Sequence, residues 1–196
     1  MGELISYQLS DFILFSQAVY YRQFEIYNLD IWPLQIVAIL FSSVVSYTLW
    51  QKPVRAGRVI AALLVVSWLW VAFAFLYQYF YQIHIVADWY AFGFVLQSGL
   101  IAWYGVIKNQ FTLFVTNPLR IKVAAGLLFV AFIFYPFIAF ITGRNWMQFE
   151  MYSLAPDPTV LATLAILLFF NKAPIILYVI PITWLLLSGV TLFVMS

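Results

Sequence analysis

The chain of 196 residues carries few charges: Asp, Glu, Lys and Arg make up 8% of it, and apolar residues make up 66%. Soluble domains carry roughly 25% charged residues, so this composition, with a mean hydropathy of +1.00, excludes an ordinary water-soluble fold and predicts helices embedded in lipid. Because the chain contains no cysteine, disulfides, thiolate metal sites and cysteine nucleophiles are excluded as well.

The N-terminal segment is too polar to cross a bilayer. Ser10 and Asp11 are typical helix-start residues, and residues 12–28 then follow a helical pattern. Its tyrosines suit the headgroup level of a membrane, because a Tyr ring is apolar and its hydroxyl group favours water. We therefore predict that residues 1–30 hold an interfacial helix, which lies at the membrane surface or packs on the other helices.

Six apolar runs follow, and they predict an all-α fold: a polytopic transmembrane helical bundle forming one membrane domain over residues 1–196. Asp30 is placed to cap the first span, with Pro33 tolerated in its first turn. Pro136 is expected to kink the fourth span. The six predicted spans occupy residues 31–50, 59–81, 89–107, 123–141, 158–171 and 175–194.

The polar stretch 142–159 and the apolar run behind it differ from the rest of the chain. The run 160–170 is short: even with Pro158 and Thr159, its helix would be only ~20 Å long, whereas the hydrocarbon core of a bilayer is ~30 Å thick. Asp157 is a predicted N-cap for this helix, with Pro158 at the first helical position. We expect a re-entrant loop on the outer face that dips towards the membrane and is capped by Asp157.

Two interpretations of this loop remain open. In the first it is architecture: Asp157 satisfies the free N–H groups of the helix start, and Arg144 pairs with Glu150 across the loop. In the second it is a ligand site, because a half-buried helix N-terminus is the device that transporters use to hold anions. Such a site would use Asp157, Arg144 and Glu150, with Gln97 and Gln35 as polar groups inside the spans.

A second candidate is a metal site at His84 and Asp88, which are spaced four residues apart. Carboxylates from the N-terminal segment lie on the same predicted side, and carboxylate and imidazole ligands together suit a hard metal, copper or zinc. One histidine without cysteine is a poor set for a transition metal, and a solvated interfacial histidine is the alternative. We predict no cofactor, while a metal, or a pigment ligated by His84, stays open.

The distribution of charge predicts an orientation. Seven basic residues fall in three alternate loops, against two, Arg22 and Arg144, on the opposite side, which carries all seven acids. By the positive-inside rule the three loops are cytoplasmic, and both termini face the periplasmic side of an inner membrane. The loop residues are Lys52, Arg55 and Arg58 in 52–58, Lys108, Arg120 and Lys122 in 108–122, and Lys172.

Several short segments carry a resemblance to a known family. They are YQLSDFILFS, YYRQFEIYN, Trp32-Pro33 with Gln35, Phe92-Gly93 with Gln97, Gly143-Arg144, and Pro156-Asp157-Pro158-Thr159. Together they resemble an uncharacterised family of small multi-pass bacterial inner-membrane proteins, a domain of unknown function. Arg144 stands where that family commonly has histidine, and Asp157 where it usually has cysteine. The resemblance implies a multi-pass topology and no particular chemistry.

The motifs indicate a noncatalytic protein. We find no phosphate-binding glycine loop, no metalloprotease motif and no credible serine–histidine pair, and no charged residue deep in the first four or the sixth predicted spans, as ion-coupled transport would need. Aromatic residues make up 21% of the chain and are spread through every span, which favours contact with other proteins.

We therefore expect an accessory or assembly subunit of a larger membrane complex, or a homo-oligomer. Its partners would be the lipid bilayer and other membrane subunits, with no role in nucleic-acid binding. The first alternative is a small-solute transporter or channel with its site at the start of the fifth span. The second is a membrane-embedded protein that binds a metal or a cofactor.

Overall fold

A computed structural model describes residues 16–84, 86–112 and 114–195, and within these ranges the chain is almost entirely helical. The α-helices are α1 (Gln17–Asp30), α2 (Leu34–Gln51), α3 (Ala56–Trp70), α4 (Ala87–Ile101), α5 (Pro118–Phe129), α6 (Tyr135–Ile141), α7 (Pro156–Leu168) and α8 (Ile176–Met195). Segments of π-helix, Val71–Tyr77, Ala102–Ile107 and Val130–Phe134, extend α3 and α4 and join α5 to α6.

Five helical stretches of the described chain are long and apolar enough to cross a membrane. They are Leu34–Gln51, Ala56–Gln82, Ala87–Ile107, Pro118–Ile141 and Ile176–Met195. The predicted fifth span, residues 158–171, corresponds to α7, an apolar helix that is too short to be counted with them. The predicted total of six spans is therefore not confirmed: the structure has five candidate spans and one short apolar helix.

The boundaries of the spans shift where a polar residue starts a helix earlier than predicted. The side chain of Asn117 accepts hydrogen bonds from the N–H groups of Leu119 and Arg120, and Pro118 occupies the first turn of α5. These are typical features of a helix start. The last residues of the predicted loop 108–122 are therefore the beginning of that helix.

The backbone departs from α-helical geometry directly before Pro136. A proline removes a backbone donor and crowds the preceding helical turn, and the neighbouring residues Val130–Phe134 form a π-helical segment. The kink predicted for the fourth span stays a prediction, and the departure that the structure shows is this π-helical segment.

Helix α1 packs on the bundle through one face. Ser16 caps its start by accepting the N–H of Val19, whereas the predicted start at Ser10 and Asp11 lies outside the described residues. Rings of this face stack on the bundle: the centroids of Phe24 and Phe75 are 4.7 Å apart. The buried residues of α1 are Tyr20, Phe24, Tyr27 and Asn28.

The predicted role of Asp30 as the cap of the first span is wrong. Asp30 is the last residue of α1, and α2 begins only at Leu34, after Pro33. The Asp30 carboxylate instead accepts a hydrogen bond of 2.7 Å from the hydroxyl group of Tyr79. Asp30 thus ties α1 to the end of the second span.

The short helix α7 is the centre of the bundle. Of its 13 residues, ten are buried, and it packs against α3, α5 and α8. Helix α8, in contrast, buries only Leu177 and Pro181. An apolar helix that is buried on nearly all sides belongs to a protein interior. Helix α7 is therefore the central helix of the bundle, and α8 lies at its periphery.

Three basic loops meet at one end of the bundle, which we call the basic end. The N–H of Val115 bonds to the carbonyl oxygen of Phe169 at 2.9 Å. The backbone approach is close: a Cβ atom on Gly57 would lie 1.8 Å from the carbonyl oxygen of Phe111. Only glycine fits there.

The opposite end, which we call the acidic end, is formed by α1, residues 78–84 and the loop 142–155. Four of the five described acids, Glu25, Asp30, Asp88 and Glu150, lie in or beside these segments. The segregation of acidic from basic residues along the sequence therefore corresponds to two opposite ends of the fold.

Candidate functional site

Asp157 is buried at the start of α7, with 4% of its surface exposed. The N-cap position is held by Ala155, so the prediction that Asp157 is the N-cap is wrong. Its carboxylate instead accepts hydrogen bonds from Trp184 Nε1 at 2.6 Å, Ser188 Oγ at 2.7 Å and Tyr135 Oη at 3.1 Å. One side chain thereby joins α7 to α6 and α8.

This carboxylate lies deep along the axis of the bundle. Trp184 and Ser188 are near the middle of α8, which is itself a candidate span. The other end of α7 reaches the basic end, ~20 Å away at 1.5 Å per residue, within an apolar layer that is ~30 Å thick in a bilayer. A re-entrant loop would produce this placement. Ionisable side chains at such depth are costly and are usually paired or functional.

The loop 142–155 begins with a sharp reversal. Gly143 has a φ of +71°, and the N–H groups of Gly143 and Arg144 bond to the carbonyl oxygens of Phe140 at 3.2 Å and Ala139 at 2.9 Å. This is the Schellman arrangement that ends many helices. Glycine adopts the left-handed conformation without strain, so Gly143 fixes the direction in which Arg144 leaves α6.

The predicted pairing of Arg144 with Glu150 is present. A terminal guanidinium nitrogen lies 3.5 Å from Glu150 Oε1, and the two side chains are 10% and 8% exposed. The guanidinium carbon also lies 3.9 Å from the ring centroid of Tyr21, and Nε donates to Thr142. Arg144 therefore connects the loop to α1, because a cation over an aromatic face is attracted to it.

Glu150 and Asp157 are two buried acids, and of the two only Glu150 forms an ion pair with Arg144. Burial and the charge of Asp157 raise the pKa of Glu150 to about 8, although Arg144 opposes the shift. Burial in a low-dielectric interior thus favours the protonated form of the Glu150 carboxyl, and Arg144 favours the charged form. The Arg144 nitrogen nearest to it lacks a hydrogen bond within the usual distance, which is consistent with a weak pair. We call Arg144, Glu150, Asp157, Tyr135, Trp184 and Ser188 the buried acid cluster.

The loop is held from outside by α1. The side-chain nitrogen of Asn28 donates to the carbonyl oxygens of Met147 and Phe149, both at 2.8 Å. The hydroxyl group of Tyr27 donates to the carbonyl oxygen of Leu154 at 2.9 Å. These bonds satisfy backbone acceptors that would otherwise be buried without a partner.

Gln35 and Gln97, the remaining residues of the predicted ligand site, make their hydrogen bonds elsewhere. Gln35 Nε2 donates to the carbonyl oxygen of Asn28, and Gln97 Nε2 donates to that of Leu177, both at 2.9 Å. Each glutamine therefore joins two helices. Both side-chain oxygens are buried without a hydrogen bond.

His84 and Asp88 lie at the acidic end but have different surroundings. The His84 ring is half-buried between Phe80 and Tyr90, with centroid distances of 5.3 and 5.5 Å, and burial lowers its pKa. Asp88 is exposed, and its carboxylate accepts the N–H of Trp89. Among the residues that the structure describes, no group of three or more histidine, aspartate or glutamate side chains is placed to hold a metal ion.

The sequence analysis missed the residues that bind the Asp157 carboxylate. Trp184 and Ser188 are four residues apart, so they share one face of α8. Their hydrogen-bond donors lie in a helix that is otherwise mostly apolar. The four-residue spacing of these two donors was the signal present in the sequence. Because donors buried in a membrane need an acceptor within the protein, the spacing indicated that an acceptor faces this side of α8.

Three cavities indent the described bundle. One of about 640 Å³ lies between α2 and α5, one of about 200 Å³ between α4 and α8, and one of about 460 Å³ beside α6 and the loop. None of these three is lined by Asp157, Gln97 or Gln35.

Several long apolar helices around a buried polar centre form an architecture that fits a multi-pass membrane protein. The chain belongs to a family of unknown function (DUF6064), whose model matches residues 17–196. No curated protein and no solved structure matches it. Membership confirms the resemblance to an uncharacterised family and brings no assigned activity.

Proposed function

We propose that this protein is a noncatalytic integral membrane protein that acts as an accessory or assembly subunit of a larger membrane complex or as a homo-oligomer. The observation that supports this proposal is the engagement of Asp157 by three donors from two helices. A carboxylate held in this way stabilises the packing of α6, α7 and α8, and the three cavities leave it untouched. Its present geometry favours architecture over solute binding.

The outer surface supplies the second support. Phe137, Phe140 and Trp146 are exposed to 58%, 76% and 68% around the cavity beside α6. We call these three side chains the aromatic patch. Aromatic residues are enriched in the cores of protein interfaces, and large aromatic side chains often dominate the binding energy. The aromatic patch therefore supports contact with a neighbouring membrane subunit.

The location that goes with this role is an inner membrane, with the basic end in the cytoplasm and both termini on the periplasmic side. Because the chain contains no cysteine, a single introduced cysteine is the only thiol that a maleimide can label in it. In intact cells, a membrane-impermeant maleimide should label Asp88→Cys and spare Lys172→Cys until the cells are opened. Labelling of Lys172→Cys alone in intact cells would reverse the orientation.

The subunit role is tested by purification in a mild detergent, with mass measurement by light scattering and identification of any chain that co-purifies. Metal and pigment are analysed in the same sample, because the proposal requires neither. We expect a mass above that of one chain. A photoreactive maleimide on Phe140→Cys should cross-link to a neighbour, whereas the matched variant Leu186→Cys on α8 should not. A monomer without cross-links in detergent and in membranes would contradict the proposal.

A second candidate, a small-solute transporter or channel, is favoured by one observation. Two buried acids, Asp157 in the first turn of the short central helix α7 and Glu150 in the loop before it, lie near a helix end inside the bundle, and transporters build sites at membrane depth from the ends of interrupted helices. It is tested in proteoliposomes by acidification of a trapped pH-sensitive dye. If Asp157→Asn and Gln97→Ala abolished a flux while the cross-link from Phe140→Cys persisted, transport would replace the subunit role.

A further inference from the structure

The largest of the three cavities is a groove at the basic end, which we call the inner groove. Its volume of about 640 Å³ is within the range of ~300–1,000 Å³ that is typical of small-molecule sites. It lies between the last turns of α2 and the middle of α5, and the end of α7 closes it. Its lining is Ser46, Leu49, Trp50, Lys52, Phe114, Val115, Ile121, Ala125, Leu128, Phe129, Phe132, Ile133 and Phe169.

We propose that the inner groove binds an anionic phospholipid, with one acyl chain along the apolar wall and the headgroup phosphate on Lys52. Leu128, Phe132 and Phe169 supply a continuous apolar wall, and Lys52 is the charged member of the lining. An apolar slot with one cation at its mouth matches a hydrocarbon chain that ends in a phosphate.

The position of Lys52 supports this binding mode. Lys52 follows the last residue of α2 in a left-handed conformation, with a φ of +48°, and is exposed. Its ammonium group lies 5.4 Å from the ring centroid of Phe114, which lines the groove. The cation therefore lies at the groove, where it can donate to the oxyanion of a bound headgroup.

Charge complementarity selects an anionic headgroup. Lys52 shares the basic end with Arg55, Arg58 and Lys122, whereas the acids of the described chain lie towards the other end. Basic pockets between membrane helices attract anionic headgroups, at about 1 kcal/mol for each Lys or Arg near the surface. Trp50, 83% exposed beside the groove, has the amphipathic ring that is typical of the headgroup level.

The groove also suits a lipid better than a water-soluble ligand. Its rim residues Ser46, Trp50 and Phe129 are exposed on two candidate spans, so the groove opens sideways, where lipid chains would surround the bundle. A polar solute would need several convergent polar groups, and the lining offers only Lys52 and Ser46 as polar side chains.

The test uses the full chain reconstituted in vesicles of equal parts phosphatidylglycerol and phosphatidylcholine, followed by mild detergent and native mass spectrometry. We expect one retained phosphatidylglycerol per chain, preferred over phosphatidylcholine. Lys52→Gln should reduce this preference about fivefold. Ala125→Trp, which places a large ring in the groove, should remove the retained lipid of either kind.

Two matched variants keep the test decisive. Lys172→Gln removes an exposed cation of the same end that does not line the groove, and Val123→Trp adds a ring to α5 outside it. Both should retain the lipid like the wild type, and thermal unfolding reports whether each variant folds. Equal retention of the two lipids, or equal loss in Lys172→Gln, would overturn the proposal. So would a dimer that Ala125→Trp splits without lipid release.

Discussion

The two ends of this bundle use charge in opposite ways. At the acidic end, Arg144, Glu150 and Asp157 are drawn inward and engaged by side chains of several helices. At the basic end, Lys52 and Lys172 stay exposed, and packing depends on close backbone contacts such as that of Gly57 with Phe111. A buried charge must be paired, whereas an exposed one need not be. Charged side chains therefore take part in the internal packing of the acidic end, while those named at the basic end lie on its surface.

The largest expected effect is the loss of the Asp157 carboxylate. Asp157→Leu leaves the donors of Trp184, Ser188 and Tyr135 without their acceptor in an apolar interior, so we expect the free energy of unfolding to fall by ~3–5 kcal/mol. Asp157→Asn, which keeps an acceptor oxygen, should cost less than half as much. Thermal and denaturant unfolding in one detergent measures both.

The control for Asp157 is Asp88→Asn, which changes an exposed acid of the same end and should move stability by less than ~0.5 kcal/mol. If Asp157→Leu were as stable as the wild type, the acidic end would not depend on its buried charge.

Glu150 should make stability fall as the pH rises. Its pKa in the folded protein is raised to about 8 from the ordinary value of 4.5, so the folded state binds the proton more tightly than the unfolded state. Its stabilising contribution is complete below pH ~4.5 and is lost as the pH rises to ~8, by ~2–4 kcal/mol. Glu150→Gln should flatten this decline, measured as unfolding midpoints at a series of pH values.

Glu25 serves as the comparison acid, because its pKa is shifted in the opposite direction to that of Glu150. Hydrogen bonds from Arg22 and Gln148 lower its pKa, so its contribution is present above its ordinary pKa and is lost as the pH falls through the lowered value. Glu25→Gln should therefore leave the alkaline decline intact. A wild-type protein whose stability rose from pH 5 to 9 would contradict the buried position of Glu150.

Gly57→Ala tests the basic end. The added methyl group would collide with the Phe111 carbonyl, and overpacking of this kind costs ~1–3 kcal/mol. Gly126→Ala, where the structure leaves open space, should be neutral or stabilising by up to ~1 kcal/mol, because alanine favours helix. Comparing the free energies of unfolding of the two variants distinguishes the loss of a close backbone contact from the general effect of replacing a helical glycine. Equal changes in the two variants would refute the close contact.

The smallest effect should come from Lys172, an exposed cation of the basic end. Lys172→Gln should change the free energy of unfolding by less than ~0.5 kcal/mol. Arg120→Gln should cost more, ~1 kcal/mol, because Arg120 donates to the carbonyl oxygen of Phe170 at 2.9 Å. Unfolding midpoints compare the two. If Lys172→Gln were the more damaging change, the basic end would depend on charge after all.

Sequence periodicity and hydropathy predicted the all-helical fold, and located its long helices to within a few residues, because runs of ~20 apolar residues have few other uses. The Arg144–Glu150 pair followed from loop position alone. The partners of Asp157 did not, because a one-dimensional pattern does not show which face of α8 meets α7. Local rules assigned both Asp30 and Asp157 as helix caps. In the structure their carboxylates instead accept tertiary hydrogen bonds, from Tyr79 and from Trp184 respectively.

The docking of α1 has a consequence for the order in which the chain is made. Phe24 can pack on Phe75 once the second long helix exists, but the partners of Asn28, the carbonyl groups of Met147 and Phe149, are synthesised about 120 residues after it. During translation α1 is therefore half-docked while the next two long helices, Ala87–Ile107 and Pro118–Ile141, enter the membrane. Helix α1, the first described helix, therefore reaches its final position only when most of the chain has left the ribosome. Its docking is a late step of folding, although it is synthesised early.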